Sequence, residues 1–292
     1  MAELENSPLS LSFSGSGFLS VYQIGAVKAL LDLAPDVLKN APRVYGASAG
    51  SLIAAAVVFN TNLDELQEII MDAANEARKP ILGPFFPSFN LLAILKKTLN
   101  RFMPENAHQL ASGRLHVALT RLSDGKTILV SDFKSKEEVL QALICSCFVP
   151  FYCGLVPPSF RGVRYIDGGL SNFQPLYELH SIITVSPFTG EIDICPRDCP
   201  VSHLCLHILN SSFQLSVQNI CRVSYALFPP SSFVLNGFYY QGYRDAIVYL
   251  IRNGKHRLCL EDQNNINAVL KNKDDKMKQH EKLLVKKTNQ YG

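Results

Sequence analysis

Gly46-Ala47-Ser48-Ala49-Gly50 is a G-x-S-x-G pentapeptide between a strand-like Arg43-Val44-Tyr45 and an apolar, helix-like run from Ser51 to Phe59. Strand, tight turn and helix form the setting that exposes a serine as a nucleophile. The turn strains the serine backbone, Gly46 and Gly50 remove side chains that would clash, and the helix N-terminus favours a developing anion. The same residues also fit a plain strand-to-helix turn capped by Ser48. Upstream, Leu9 to Phe13 alternates apolar and hydroxyl residues and runs into Ser14-Gly15-Ser16-Gly17-Phe18-Leu19-Ser20. A helical apolar face from Val21 to Leu33 follows. Backbone N–H groups in such a loop stabilise an oxyanion or bind phosphate. A dinucleotide fingerprint fails at its third position, where Ser20 stands in place of glycine. A mere tight turn is the remaining reading.

A serine hydroxyl needs a base. Val163-Arg164-Tyr165-Ile166-Asp167-Gly168-Gly169 reads as a strand ending in an aspartate, with two glycines that permit close approach. We expect Asp167 on the carboxyl edge shared by parallel strands, where sites gather in open α/β sheets, and so within reach of Ser48. An Asp-Gly hairpin turn is the other reading. The histidines at 108, 116, 180, 203, 207, 256 and 280 have no comparable strand-end setting. Only two strands precede the elbow, too few for the α/β-hydrolase order of Ser, Asp and His. An aspartate titrating near ~4 becomes a useful base once an apolar site raises its pKa. The acyl-serine would then pass to water or to an alcohol.

These groups need a scaffold, and the 292 residues suffice for one large α/β core. Helices are predicted at Leu63–Lys79, Leu91–Phe102, Lys136–Cys147 and Val234–Arg252. A strand pair, Leu115–Leu122 and Thr127–Phe133, is predicted around Asp124-Gly125. Val139 to Pro157 carries no charge, but Pro150, Gly154 and Pro157 interrupt it, so it reads as a buried helix and an irregular segment rather than a membrane span. The N-terminus is acidic and shows no secretory signal, so the eight cysteines are expected to be reduced. Cys195, Cys199, His203, Cys205 and His207 match no common zinc spacing, and no metal is expected. Hydrophobic residues make up 47% and mean hydropathy is +0.09, which suits an acyl cavity, a membrane-facing surface or a well-filled core. Ile81 to Phe86 reads as an exposed apolar loop. From Lys271 onward seven lysines face Asp274, Asp275 and Glu281, a surplus of +4 against a net +3 for the chain. The body is therefore not basic, and nucleic acid is not an expected partner. The tail reads as a solvated end or a contact for an anionic lipid surface.

A glycine-rich loop after the first strand, G-x-S-x-G after the second and a late D-G-G together resemble the patatin-like phospholipases. Leu82-Gly83-Pro84, Ala111-Ser112-Gly113-Arg114-Leu115 and Tyr152 to Pro158 are similar to the animal branch with adipose triglyceride lipase and adiponutrin. Cys145-Ser146-Cys147-Phe148-Val149-Pro150 and Asp193 to Pro200 resemble its acylceramide-forming members. The resemblance covers residues 9–255, leaving 256–292 as a polar, Lys-rich extension. It implies a three-layer α/β/α sandwich with a mainly parallel sheet. It implies Ser48 as nucleophile, Asp167 as base, Gly15, Ser16 and Gly17 as oxyanion hole, and Gly46, Gly50, Gly168 and Gly169 as supports. It further implies no cofactor, a neutral-lipid ester substrate, transfer to water or to an ω-hydroxyceramide, and peripheral work on lipid droplets or endoplasmic reticulum, with room for an activator protein. Leu19 stands where the plant pattern has arginine, which suits a neutral lipid. Leu170-Ser171-Asn172 replaces the usual Ser-Asp-Asn. That departure keeps open a droplet-binding scaffold of low turnover.

Overall fold

The computed structural model describes residues 8–80, 90–176, 182–198 and 204–254. The Ile81–Phe86 loop and the Lys-rich tail lie outside them. The chain divides into two compact units, residues 1–249 and 250–292. The first holds every feature below except the last turn of the final helix, from Leu250.

β1 (Ser10–Phe13) is buried along its length and leads through a 3-10 turn at Gly17–Leu19 into α1 (Ser20–Leu33). A short α2 (Pro35–Lys39) has proline in its first turn, where a missing N–H costs nothing. β2 (Val44–Ala47) feeds α3 (Ala49–Phe59). Next come α4 (Leu63–Arg78), α5 (Leu91–Phe102) and α6 (Ala107–Ala111). Asn62 and Asn90 cap α4 and α5 by accepting from backbone N–H groups of the first turns. β3 (Leu115–Arg121), β4 (Thr127–Val130) and the Ser135-capped α7 (Lys136–Ser146) follow. β5 (Ser159–Phe160), β6 (Val163–Asp167) and β7 (Ile182–Val185) complete the main sheet. A separate hairpin, β8 (Cys205–Ile208) and β9 (Ser211–Gln214), precedes α8 (Val217–Leu227) and α9 (Ser232–Arg252).

The architecture is α/β/α around a sheet with a parallel centre, β7-β1-β2-β3, as the resemblance implied. β1 lies between β2, which follows it, and β7, which returns much later. The loop after β1 therefore sits at the switch point of the sheet, where ligands of α/β folds bind.

β4 and β6 both run antiparallel to β3. The expectation that Asp167 ends a parallel strand is thus corrected. β2 pairs Leu115–Ala118 and β6 pairs Leu119–Arg121, while β4 overlaps both registers along the opposite edge. β2 and β6 therefore share one edge of β3 and meet head to head. Ala47 faces Ala118 and Asp167 faces Leu119, the next residue along. The residue after Ala47 is Ser48. Strand register alone brings the two side chains together.

Among the described residues no helix is long and apolar enough to cross a membrane. Val139 to Pro157 becomes the buried end of α7 and an irregular segment leading to β5.

Candidate active site

Ser48 has φ 53° and ψ −134°, a conformation that costs a non-glycine residue about 1–3 kcal/mol and persists only where its surroundings enforce it. The enforcement is visible. Its N–H donates to Ser146 Oγ at 3.0 Å, and Ser146 Oγ donates to the Ala118 carbonyl at 2.8 Å. Its carbonyl accepts from Ser51 Oγ at 2.6 Å and Ser51 N–H at 2.9 Å. A Cβ on Gly46 would lie 2.5 Å from Ser51 Cα, and one on Gly50 would lie 2.2 Å from the Ser14 carbonyl oxygen. Both positions are closed to any larger residue.

Ser48 Oγ donates to Asp167 Oδ2 at 2.5 Å. Asp167 Oδ1 accepts from the Gly169 N–H at 2.8 Å, and the Asp167 backbone is held by Thr120 Oγ1 and by the Phe148 carbonyl. Gly168 packs so closely on β3 that a Cβ would lie 2.0 Å from the Ala118 oxygen. A Cβ on Gly169 would crowd Asp167 Oδ1 at 3.0 Å. Asp167 is 3% exposed. Burial pushes its pKa up to about 6, against the pull of the Ser48 hydroxyl and the Gly169 N–H, which favour the charged form.

The loop after β1 brings Gly15, Ser16 and Gly17 to the same cavity as Ser48 and Asp167. The three differ in what their N–H groups do. Gly15 N–H donates to the Phe173 carbonyl at 2.9 Å. The N–H groups of Ser16 and Gly17 have no acceptor among the described residues. Gly17 has φ +50° and sits against α8, where a Cβ would lie 2.1 Å from the Ala226 oxygen. Buried Gln23, one turn into α1, clamps the loop. Its Oε1 accepts from Ser16 Oγ at 3.0 Å and its Nε2 donates to the Ser14 carbonyl at 3.0 Å.

Above the pair lies a cavity of about 490 Å³, within the usual range for ligand sites. Leu66, Ile69, Ile70 and Ala73 of α4 face Leu91, Ile94 and Leu95 of α5 across it, and Phe173, Phe188 and Phe213 close another side. Those three rings stack on one another with centroids 5.1–5.6 Å apart. Among the described residues no histidine lines it. Leu19, at the position of the plant arginine, is fully buried.

Sequence reasoning missed Ser146, Thr120, Ser171 and Gln23. Ser146, Thr120 and Gln23 are polar residues in apolar, buried runs, and that was their only signal, whereas half-buried Ser171 was marked only as a departure after D-G-G. Ser171 Oγ meets the hydroxyls of Thr120 and Thr127 at 2.8 Å, so the departure after D-G-G supports the Asp167 strand from behind. Among the described residues no cluster of His, Cys, Asp and Glu could hold a metal ion. Cys199 and His203 lie outside them. Cys195 is buried with its thiol toward the Ile192 carbonyl, and His207 pairs with Glu191.

Comparison with known proteins fits this geometry. The family model for patatin-like phospholipase matches residues 11–180. Human omega-hydroxyceramide transacylase is 50% identical over 247 residues, covering 85% of this chain and 46% of the relative. Human patatin-like phospholipase domain-containing protein 2 is 49% identical over 245 residues, covering 84% and 49%. Human 1-acylglycerol-3-phosphate O-acyltransferase PNPLA3 is 46% identical over 245 residues, covering 84% and 51%. The chain thus spans about half the length of these curated relatives. With a family model over more than half its residues and near-50% identity to several members, this chain belongs to the patatin-like phospholipase family.

Proposed function

We propose that this protein is a serine acyl hydrolase or transacylase that acts on neutral-lipid esters through Ser48 and Asp167. The observation that carries the reading is the 2.5 Å hydrogen bond from Ser48 Oγ to a nearly buried Asp167, at the floor of an apolar cavity that no histidine among the described residues lines. As Ser48 Oγ attacks the ester carbonyl carbon, its proton passes to Asp167 Oδ2. The carbonyl oxygen becomes an oxyanion and takes hydrogen bonds from the free N–H groups of Ser16 and Gly17. Collapse breaks the bond to the alkoxide leaving group, which takes the proton back from Asp167. The acyl chain is now an ester of Ser48. In the second half Asp167 removes a proton from water or from an alcohol, whose oxygen attacks the acyl carbon. Ser48 Oγ leaves and recovers its proton from Asp167. Water yields a fatty acid; a lipid alcohol yields a new ester.

Carboxylate bases are weak, and burial strengthens this one, with no cation among the described residues to counter it. Two of the relatives are named as a transacylase and an acyltransferase, which favours acyl transfer onto lipid hydroxyls, and an ω-hydroxyceramide is the acceptor we favour. A triacylglycerol is the donor that best suits an apolar cavity whose one charged lining residue among those described is Asp167. Both are insoluble, so the enzyme would work at the surface of a lipid droplet or of the endoplasmic reticulum membrane. Lipid mass spectrometry on cells expressing wild type and Ser48→Ala tests the reading. Acylceramide or free fatty acid should rise with wild type alone. Equal lipid profiles would return the protein to the scaffold class.

A further inference from the structure

α8 is built inside out. Its single charged residue, Arg222, and its amide Asn219 are buried. Arg222 grips Asp198 with both terminal nitrogens at 2.9 and 2.7 Å. Asn219 Nδ2 donates to the carbonyls of Thr189 and Gln214 at 2.8 and 2.9 Å. With these polar residues turned inward, Val217, Ile220, Val223 and Leu227 form one stripe facing out. Val217 is 74% exposed and Ile220 61%. A soluble helix normally shows the reverse pattern.

Two neighbouring segments widen the patch. Phe151, Leu155 and Val156 are 70–78% exposed, and their segment is tied to α8 by the Tyr152 hydroxyl, which donates to the Leu227 carbonyl at 2.7 Å. The β8–β9 hairpin adds exposed Leu206, Ile208 and Leu209. Contiguous apolar surface of this kind marks an interaction site.

The position of the patch identifies its partner. Val223, Leu227, Leu209 and Leu170 are exposed and also line the cavity, so they mark its mouth. Val223, Leu227 and Leu209 belong to the patch, so the patch reaches that mouth. The α8 stripe carries no charge, so it offers nothing to a charged protein or an anionic headgroup. We propose that the outer stripe of α8, with the Phe151–Val156 segment and the β8–β9 hairpin, seats on the surface of a neutral-lipid phase. Seating holds the mouth against the oil, so a neutral ester enters without crossing water. This inference rests on the neutral-lipid reading of the cavity.

The test uses the full 292-residue chain and triolein droplets coated with phosphatidylcholine, with binding read by flotation at low and high salt. Val217→Glu/Ile220→Glu alters the stripe away from the cavity lining and places acid in the first turn, which the helix dipole tolerates. Val217→Ser/Ile220→Ser is the milder companion, and circular dichroism and turnover of a soluble short-chain ester report folding. Wild type should float at both salts. The two variants should bind at least ~10-fold more weakly, as loss of two apolar anchors requires, with soluble-ester turnover unchanged. Equal flotation of folded variants and wild type would overturn the proposal. So would flotation of wild type that high salt abolishes. A wild-type dimer that the variants dissociate, with droplet binding intact, would give the stripe to a second copy and also overturn it. A chain that floats through this stripe but turns over no ester would uphold the docking face and remove the acyl-transfer reading.

Discussion

Asp167 and Asp198 both have side chains largely withdrawn from water, and their surroundings drive them in opposite directions. Asp198 is pushed up by burial, but Arg222 and the Ser216 hydroxyl outweigh this and hold its pKa below the usual value. Among the described residues the Asp167 carboxylate accepts hydrogen bonds from one hydroxyl and one backbone N–H, and burial raises its pKa to about 6. One carboxylate is neutralised and serves to lock α8 to the segment that follows β7. The other has no cation beside it among the described residues, which leaves its charged form destabilised by burial and suits the proposed role of base. A carboxylate deprived of its counterion in a cavity is the mark of chemistry; one supplied with it is the mark of structure.

The largest test of that contrast is removal of the proposed reacting pair. Ser48→Ala should abolish turnover of a short-chain ester while circular dichroism stays unchanged, because alanine suits the elbow. Asp167→Asn should lower kcat at least ~100-fold. His108, His116 and His207 substitutions should leave kcat intact, since none lines the cavity. Loss of activity on one of them, with Asp167→Asn active, would move the base elsewhere.

The oxyanion loop should give the next largest effect. Displacing a donor N–H by Gly17→Val should raise the barrier by roughly 2.7–4 kcal/mol. Gln23→Leu should lower kcat with little change in KM, because it releases the Ser16 hydroxyl and the Ser14 carbonyl that set the loop. A change in KM alone would place Gln23 in substrate binding instead.

Stability should separate the two aspartates in sign. Arg222→Met strands a buried Asp198 and should cost about 3–5 kcal/mol in urea unfolding. Asp167→Asn should do the opposite. The folded carboxyl keeps its proton up to about pH 6, whereas an unfolded one releases it near ~4. Wild-type stability should therefore fall as pH rises from ~4 to ~6 and stay reduced above that, by up to about 3 kcal/mol. Asp167→Asn should regain about 1–3 kcal/mol of this near pH 8 and nothing below ~4, where both carboxyls are protonated. Equal stability of the two proteins at all pH would contradict the raised pKa. The smallest effect concerns residues 271–292, whose removal should weaken binding to anionic vesicles at low salt only.

Much of the scaffold was legible because its patterns are local. The helix at Leu91–Phe102 matches the described helix at both ends, and the Asp124-Gly125 turn joins β3 and β4 as expected. The elbow and glycine loop were legible because their turns require those residues. The direction of β6 was not, since strand pairing is a long-range property that Val163–Asp167 does not encode alone. The β8–β9 hairpin escaped because its turn uses Leu209-Asn210, at φ 52° and 58°, rather than an Asn-Gly pair. α8 escaped for a related reason. Its apolar stripe faces outward, and pattern reasoning assigns such a stripe to a core.

The central claim is that Asp167, without a histidine, deprotonates Ser48. The most direct test is the rate of Ser48 labelling by a fluorophosphonate across pH, with the modified peptide identified by mass spectrometry. The rate should rise to a plateau with a midpoint near pH 6, set by the raised Asp167 pKa, and Asp167→Asn should abolish the rise. Label on another residue, or a midpoint that survives Asp167→Asn and disappears with a histidine substitution, would contradict the account.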